Sequence, residues 1–254
     1  MTHVRSIGVA AALALLLVLS VTGATTAAGP KVHGYDISWP QCGAAYPASP
    51  AFGIVGVNRG IVFSPNPCLA SEINWAGGAG ASLYVNTGNP GPALSTHWPS
   101  GQATPRRCDP GNLDTADCAY DYGYNAAANS YAAAVNAFGQ LGLTASPAGT
   151  AWWLDVETSN SWRSNTALNV AALQGEAFYL VSVAQVRSLG VYSTQYQWNV
   201  ISGGSGAFGA YHSWVAGVSS QKTASARCAG VGFTGGGVEL AQYAAGGFDA
   251  DLRC

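Results

Sequence analysis

The chain has 254 residues, of which only 9% are charged, and its formal net charge is -2. Charge this sparse excludes a phosphate-tracking nucleic-acid binder, which needs a basic stripe, and a polybasic membrane-surface protein. The 8 Trp and 12 Tyr offer flat apolar faces on which sugar rings stack, although most such rings are expected to fill the core.

At the N-terminus, His3 and Arg5 precede an apolar stretch over 7–21 and the small residues Thr26, Ala27 and Ala28. This is the pattern of an export signal over 1–28, cut after Ala28; as an uncleaved membrane anchor the stretch is short of the ~20 residues a span needs. Residues 29–254 then form one secreted domain with no later membrane span. Residues 52–58 read as a buried strand ending at Arg59-Gly60. Residues 67–76 read as a short helix, and 82–86 as a strand broken by Thr87-Gly88-Asn89-Pro90. A long loop follows, carrying Arg106, Arg107 and the Cys108–Cys118 segment; its arginines belong to solvent. Residues 120–141 are Ala-rich and helical, with Gly142 as the stop. A strand at 152–157 comes next. Residues 166–189 have helical character, with Gly190 as the C-terminal glycine. Residues 191–193, 213–216 and 238–243 read as further strands. Strands alternating with helices imply a parallel α/β sheet, and this length suits a closed or nearly closed barrel whose last third has short helices or none.

The strand Trp152-Trp153-Leu154-Asp155-Val156-Glu157 carries the chemistry. Alternation puts Asp155 and Glu157 on one face, roughly 6–7 Å apart along the strand. Two carboxyls at the C-terminal end of a barrel strand suit acid-assisted cleavage of a glycosidic bond; the plainer alternative is a strand running into the polar turn Thr158-Ser159-Asn160.

The six cysteines are Cys42, Cys68, Cys108, Cys118, Cys228 and Cys254. An even number in an exported chain implies disulfides, with fifteen possible pairings. Cys108 with Cys118 is the favoured local bridge, Cys228 with Cys254 staples the tail, and Cys42 with Cys68 remains. No metal site is expected, because no Cys-x-x-Cys occurs and His33, His97 and His212 lack ligand spacing. Gly203-Gly204-Ser205-Gly206-Ala207 lacks the second glycine of a nucleophile elbow, and Gly235-Gly236-Gly237 is a turn, not a phosphate cradle.

Four segments together carry a family likeness: Gly34-Tyr35-Asp36-Ile37-Ser38, Asp155-Val156-Glu157, Gly190-Val191-Tyr192-Ser193, and Gln242-Tyr243 followed by Gly247-Phe248-Asp249-Ala250-Asp251. In this order they resemble the glycoside hydrolase family 25 lysozymes, the N-acetylmuramidases that cut peptidoglycan. The resemblance spans nearly all of the mature chain. It implies an irregular (β/α) barrel of the TIM-like kind, five β/α units followed by β-strands, and no cofactor. It also implies roles. Glu157 matches the general acid, Asp155 its neighbour acting on the substrate's acetamido group, and Asp36 and Asp249 two further cleft acids. Asp251 is the alternative to Asp249, since the tail register is open by two residues. Tyr192 and Gln242 match the floor of the site, and Trp39, Tyr84 and Trp214 are expected to bind substrate. As ordinary turn residues, Asp36, Asp249 and Asp251 would need none of this.

Several segments depart from the family pattern: Asn58-Arg59-Gly60, Thr87-Gly88-Asn89 after Asn86, and the insertion around Cys108. They leave the glycan open. The expectation is a monomeric, secreted, peptidoglycan-cleaving hydrolase whose partner is polysaccharide, not nucleic acid or membrane. A non-catalytic carbohydrate-binding protein on the same barrel, or a glycosidase for another envelope glycan, are the alternatives.

Overall fold

Eight strands close into a barrel in sequence order: β1 (His33–Ile37), β2 (Gly53–Gly56), β3 (Ser82–Asn86), β4 (Ala151–Asp155), β5 (Ser188–Ser193), β6 (His212–Val218), β7 (Val238–Ala245) and β8 (Phe248–Arg253). The structure is a computed structural model that describes residue 1, residues 32–48 and residues 50–254; the export signal read over 1–28 lies, but for residue 1, outside them. Strands β1 to β7 run parallel, and β8 closes the barrel antiparallel to both β7 and β1. The crossovers from β2 to β7 carry α1 (Leu69–Trp75), α2 (Ala116–Gln140), α3 (Thr166–Phe178), α4 (Gln195–Ser202) and α5 (Gln221–Arg227), while the connection from β1 to β2 carries, among the described residues, only a short helical turn at Trp39–Gln41. No helix among the described residues is long and apolar enough to cross a membrane.

Alternation along the strands sorts the side chains into two layers. Leu83, Val85, Trp152, Leu154 and Val191 point outward and pack under the helices with Ile73, Phe138, Leu173 and Trp198. Ile54, Trp153, Trp214 and Leu240 point inward and plug the barrel, with Tyr84 and Tyr192 against them. Thr115 begins α2 by accepting the Cys118 N–H on its hydroxyl. At its end Gly142, at φ 66, lets the Leu143 N–H reach Phe138 O at 3.0 Å, a Schellman turn.

Two sequence expectations need correction. The helical character read over 166–189 ends early: α3 stops at Phe178, one wider turn follows over Tyr179–Val183, and the chain reverses at Gln185 with φ 55. Gly190 is therefore not a helix stop. It sits inside β5, where a Cβ would lie 2.1 Å from the Trp153 ring, so glycine is there to admit the indole. The tail, readable as turns, is instead the closing strand β8. Three bridges join Cys42 to Cys68, Cys108 to Cys118 and Cys228 to Cys254.

Candidate active site

At the C-terminal ends of the parallel strands opens a cavity of about 230 Å³, walled by Asp36, Tyr84, Asp155, Glu157, Tyr192, Trp214, Gln242 and Asp249. Four larger hollows, of about 320, 390, 310 and 360 Å³, carry no carboxylate in their walls; the smaller one holds the carboxyl groups.

Each side chain is set by strand register and then fixed by neighbours. Asp36 on β1 lies opposite Asp249 on β8. From β7, Gln242 Nε2 donates to Asp36 Oδ2 at 2.9 Å, and Tyr192 OH on β5 donates to Gln242 Oε1 at 2.9 Å. A chain of three polar groups thus spans the mouth. On β4, Asp155 Oδ2 accepts from Asn86 Nδ2 at 2.5 Å, while Oδ1 is buried without a partner. Asn86 is itself anchored, its backbone N–H donating to Asn58 Oδ1 at 3.0 Å. Strand β4 ends at Asp155, yet its register with β5 runs on: the Val156 N–H donates to Tyr192 O at 2.9 Å and Ser193 Oγ donates to Val156 O at 2.7 Å. Val156 is fully buried in the outer layer, which turns Glu157 into the cavity beside Asp155. The Glu157 carbonyl accepts from Trp162 Nε1 at 2.7 Å, and its carboxyl from Gln197 of α4. Gln197 is oriented by Thr158, whose N–H donates to Gln197 Oε1 at 2.6 Å.

Withdrawal from water dominates the electrostatics, because burial disfavours the charged form of a carboxyl. Burial first, with help from the charges of Asp249 and Glu157 and against the Gln242 hydrogen bond, raises Asp36 to about 7. Asp155 is pushed well above its ordinary value by burial, then by Glu157 and Asp36, against the Asn86 hydrogen bond. Burial also raises Glu157, opposed by Gln197 and aided by Asp249, and it raises Asp249. Such a cluster retains protons near neutrality and has carboxylates nearby, the pairing that general acid chemistry uses.

Of the residues singled out in the sequence, eight line this cavity; Trp39 and Asp251 do not. Trp39 sits on the turn after β1, 38% exposed, with the Arg59 guanidinium 5.5 Å over its ring. Asp251 pairs with Gln242 and Gly34, one step deeper than Asp249. There it is fully buried and accepts from Trp214 Nε1 at 2.7 Å, so it lies under the floor. Its carboxyl is pushed well up by burial and then by the Asp36 charge.

Sequence reading did not find Asn86, Gln197 and Glu176 as site residues. Asn86 and Gln197 gain meaning only when neighbouring elements bring Asp155 and Glu157 to them. Glu176 is 1% exposed on α3, its Oε1 without a partner, and is pushed well up by burial and the Asp155 charge. Its spacing from the buried Asn169, Leu173 and Leu180 puts it on the buried face of that segment, the one signal the sequence held. Among the described residues no group of His, Cys, Asp or Glu is arranged to hold a metal ion.

No protein-family model and no curated protein sequence matches the chain. Solved structures do. A family GH25 lysozyme from Aspergillus fumigatus is similar with a TM-score of 0.55 and 16% identity, over 89% of this chain and 94% of that one. A muramidase from Trichobolus zukalii gives 0.51 and 19%, over 88% and 93%. The spore cortex lytic enzyme SleM from Clostridium perfringens gives 0.52 and 10%, over 88% and 67%. At these identities the likeness is one of fold, and the chain has the irregular, disulfide-bonded α/β barrel of the family 25 lysozymes.

Proposed function

We propose that the protein is a secreted glycoside hydrolase, a divergent family 25 lysozyme, that cleaves peptidoglycan at β-1,4 linkages next to N-acetylated sugars. The observation that carries this reading is the convergence of Asp36, Asp155, Glu157 and Asp249 on one open cavity at the C-terminal mouth of the barrel.

Glu157 is the general acid. It is half-buried, and its raised affinity for protons keeps the acid form available near neutral pH, so it protonates the glycosidic oxygen as the bond to the anomeric carbon breaks. Asp155, fixed through Oδ2 by Asn86, stands in the cavity wall beside Glu157, where its carboxyl orients the acetamido group as that group's oxygen approaches the anomeric carbon. The carboxyls of Asp36 and Asp249 face the ring from β1 and β8, and the ionised fraction of the cluster favours the positive charge that develops on the sugar. Tyr84, Tyr192 and Trp214 give the ring an aromatic floor.

Glu157→Gln is the test. Release of reducing ends from peptidoglycan by the wild type, lost in the variant, supports the hydrolase. Binding of glycan by both with cleavage by neither makes the protein a carbohydrate-binding module on the same barrel. Turnover of a different purified envelope glycan, with peptidoglycan left intact, reassigns the substrate.

A further inference from the structure

The hollow of about 320 Å³ beside the acid cavity belongs to the same mouth. Its walls come from the loops that follow β2, β3 and β4 and from Tyr122 on α2, and it shares a partition with the cavity. Asp155 and Glu157 send their side chains into the cavity. Their carbonyls accept Thr87 Oγ1 at 2.6 Å and the Asn160 N–H at 3.1 Å, and Thr87 and Asn160 line the hollow.

Its far wall is aromatic and rigidly built. Phe63 has φ 62, a left-handed conformation rare for a bulky residue and of the kind that clusters at ligand clamps. The loop holds it there: the Arg59 N–H donates to Ser64 O at 2.8 Å, and Ser64 Oγ to Ile61 O at 2.7 Å. The Phe63 ring stacks on His97 at 4.2 Å and meets Tyr122 edge-on at 5.4 Å, and Tyr122 stacks on Trp98 at 4.9 Å. Trp98 Nε1 donates to Leu113 O at 2.9 Å, within the insertion closed by the Cys108–Cys118 bridge. Ile61 and Leu94 line the hollow while 63% and 79% exposed. The remaining lining is hydroxyl-rich and includes no Asp, Glu, Lys or Arg.

We propose that this hollow is a second binding site, for an uncharged N-acetylated sugar ring of the same glycan strand, some units away from the bond that is cleaved; this rests on the hydrolase reading above. Apolar and aromatic walls suit the C–H faces and acetyl methyl of such a ring, and the serine and threonine hydroxyls suit its own hydroxyls. No Lys or Arg lines the hollow to pair with a peptide carboxylate, so the bare sugar ring suits it better than the stem peptide. The volume falls at the small end of the range for ligand sites, about 300–1,000 Å³.

The experiment measures binding of N-acetylglucosamine oligomers of two to six units, and of peptide-free peptidoglycan strands, to Glu157→Gln protein by calorimetry. In parallel, KM for strands of graded length is measured on the active enzyme. Both are repeated with Leu94→Ser and His97→Ala, two exposed positions whose loss leaves the barrel intact, with circular dichroism as the check on folding. The expected result is a step in affinity once the strand is long enough to reach the hollow. The double variant erases that step, weakening long strands by about tenfold while the shortest cleaved substrate keeps its kcat and KM. Equal affinities in wild type and variant at every length, with cleavage intact, overturn the second site and leave the hydrolase standing. Variant-sensitive binding of peptide-bearing fragments but not of bare glycan also overturns it. A wild type that neither binds nor cleaves any glycan removes the hydrolase reading, and this site with it.

Discussion

Two storeys of the barrel interior differ sharply although the same strands build them. The lower storey is Ile54, Trp153, Trp214 and Leu240, apolar and almost wholly buried. Two residues further along the same strands, Trp153 gives way to Asp155 and Leu240 to Gln242, and the upper storey becomes a set of carboxyls whose ionisation burial opposes. The lower storey stabilises the fold. The upper one costs stability, since desolvated carboxyls and an unpartnered Asp155 oxygen are retained where apolar side chains would pack better.

That division is most sharply tested by Glu157→Gln. Turnover on peptidoglycan should fall by about 10²- to 10⁴-fold while the thermal midpoint stays close to wild type. Trp153→Ala should do the reverse in kind. Emptying the indole site should cost about 3–5 kcal/mol in denaturant unfolding; unchanged stability would show that the lower storey is not the plug. A third outcome concerns pH. Asp36 and Glu72 are each raised to about 7 from ordinary values of 3.8 and 4.5. Between those limits the folded state binds more protons than the unfolded one, so stability falls as pH rises. The thermal midpoint should be highest near pH 4, decline between there and about pH 7, and level off above it; a rise over that interval would contradict the burial of these groups. The smallest effect separates the cleft acids from Glu72, which is buried on α1 outside the cavity and held by Asn66 Nδ2 at 2.6 Å. Glu72→Gln should flatten the pH dependence by about 1–3 kcal/mol at pH 8 and leave glycan cleavage unaltered.

How much of this was readable in advance depends on how local the signal is. The Asp155-x-Glu157 pair sits at a strand end because an apolar run stops there, and a run and its end are both visible in one segment. The cysteine pairs follow short separations, 10 residues for Cys108 to Cys118 and 26 for each of the others. Gly190 misled because glycine after a helical run ordinarily caps it. The actual reason, the Trp153 ring across the β4–β5 pair, is 37 positions away. Trp39 misled because an aromatic near an acid motif does not reveal which way its turn faces. The Gln242–Asp36 hydrogen bond joins residues 206 positions apart, and no local pattern records it. Asn86 and Gln197 were hidden for the same reason: amides are common, and what makes these two matter is a neighbour supplied by another strand or helix.

Strand β8 carries a consequence for when the acid-lined mouth comes into being. It is laid down between β7 and β1, and it brings Asp249 across from Asp36; the Cys228–Cys254 bridge then fastens it. Contacts of such long sequence separation form late and slowly. Until the β7–β8 hairpin docks, the tryptophan plug can assemble but the ring of acids is incomplete, so on the function proposed above cleavage would begin only once the barrel has closed.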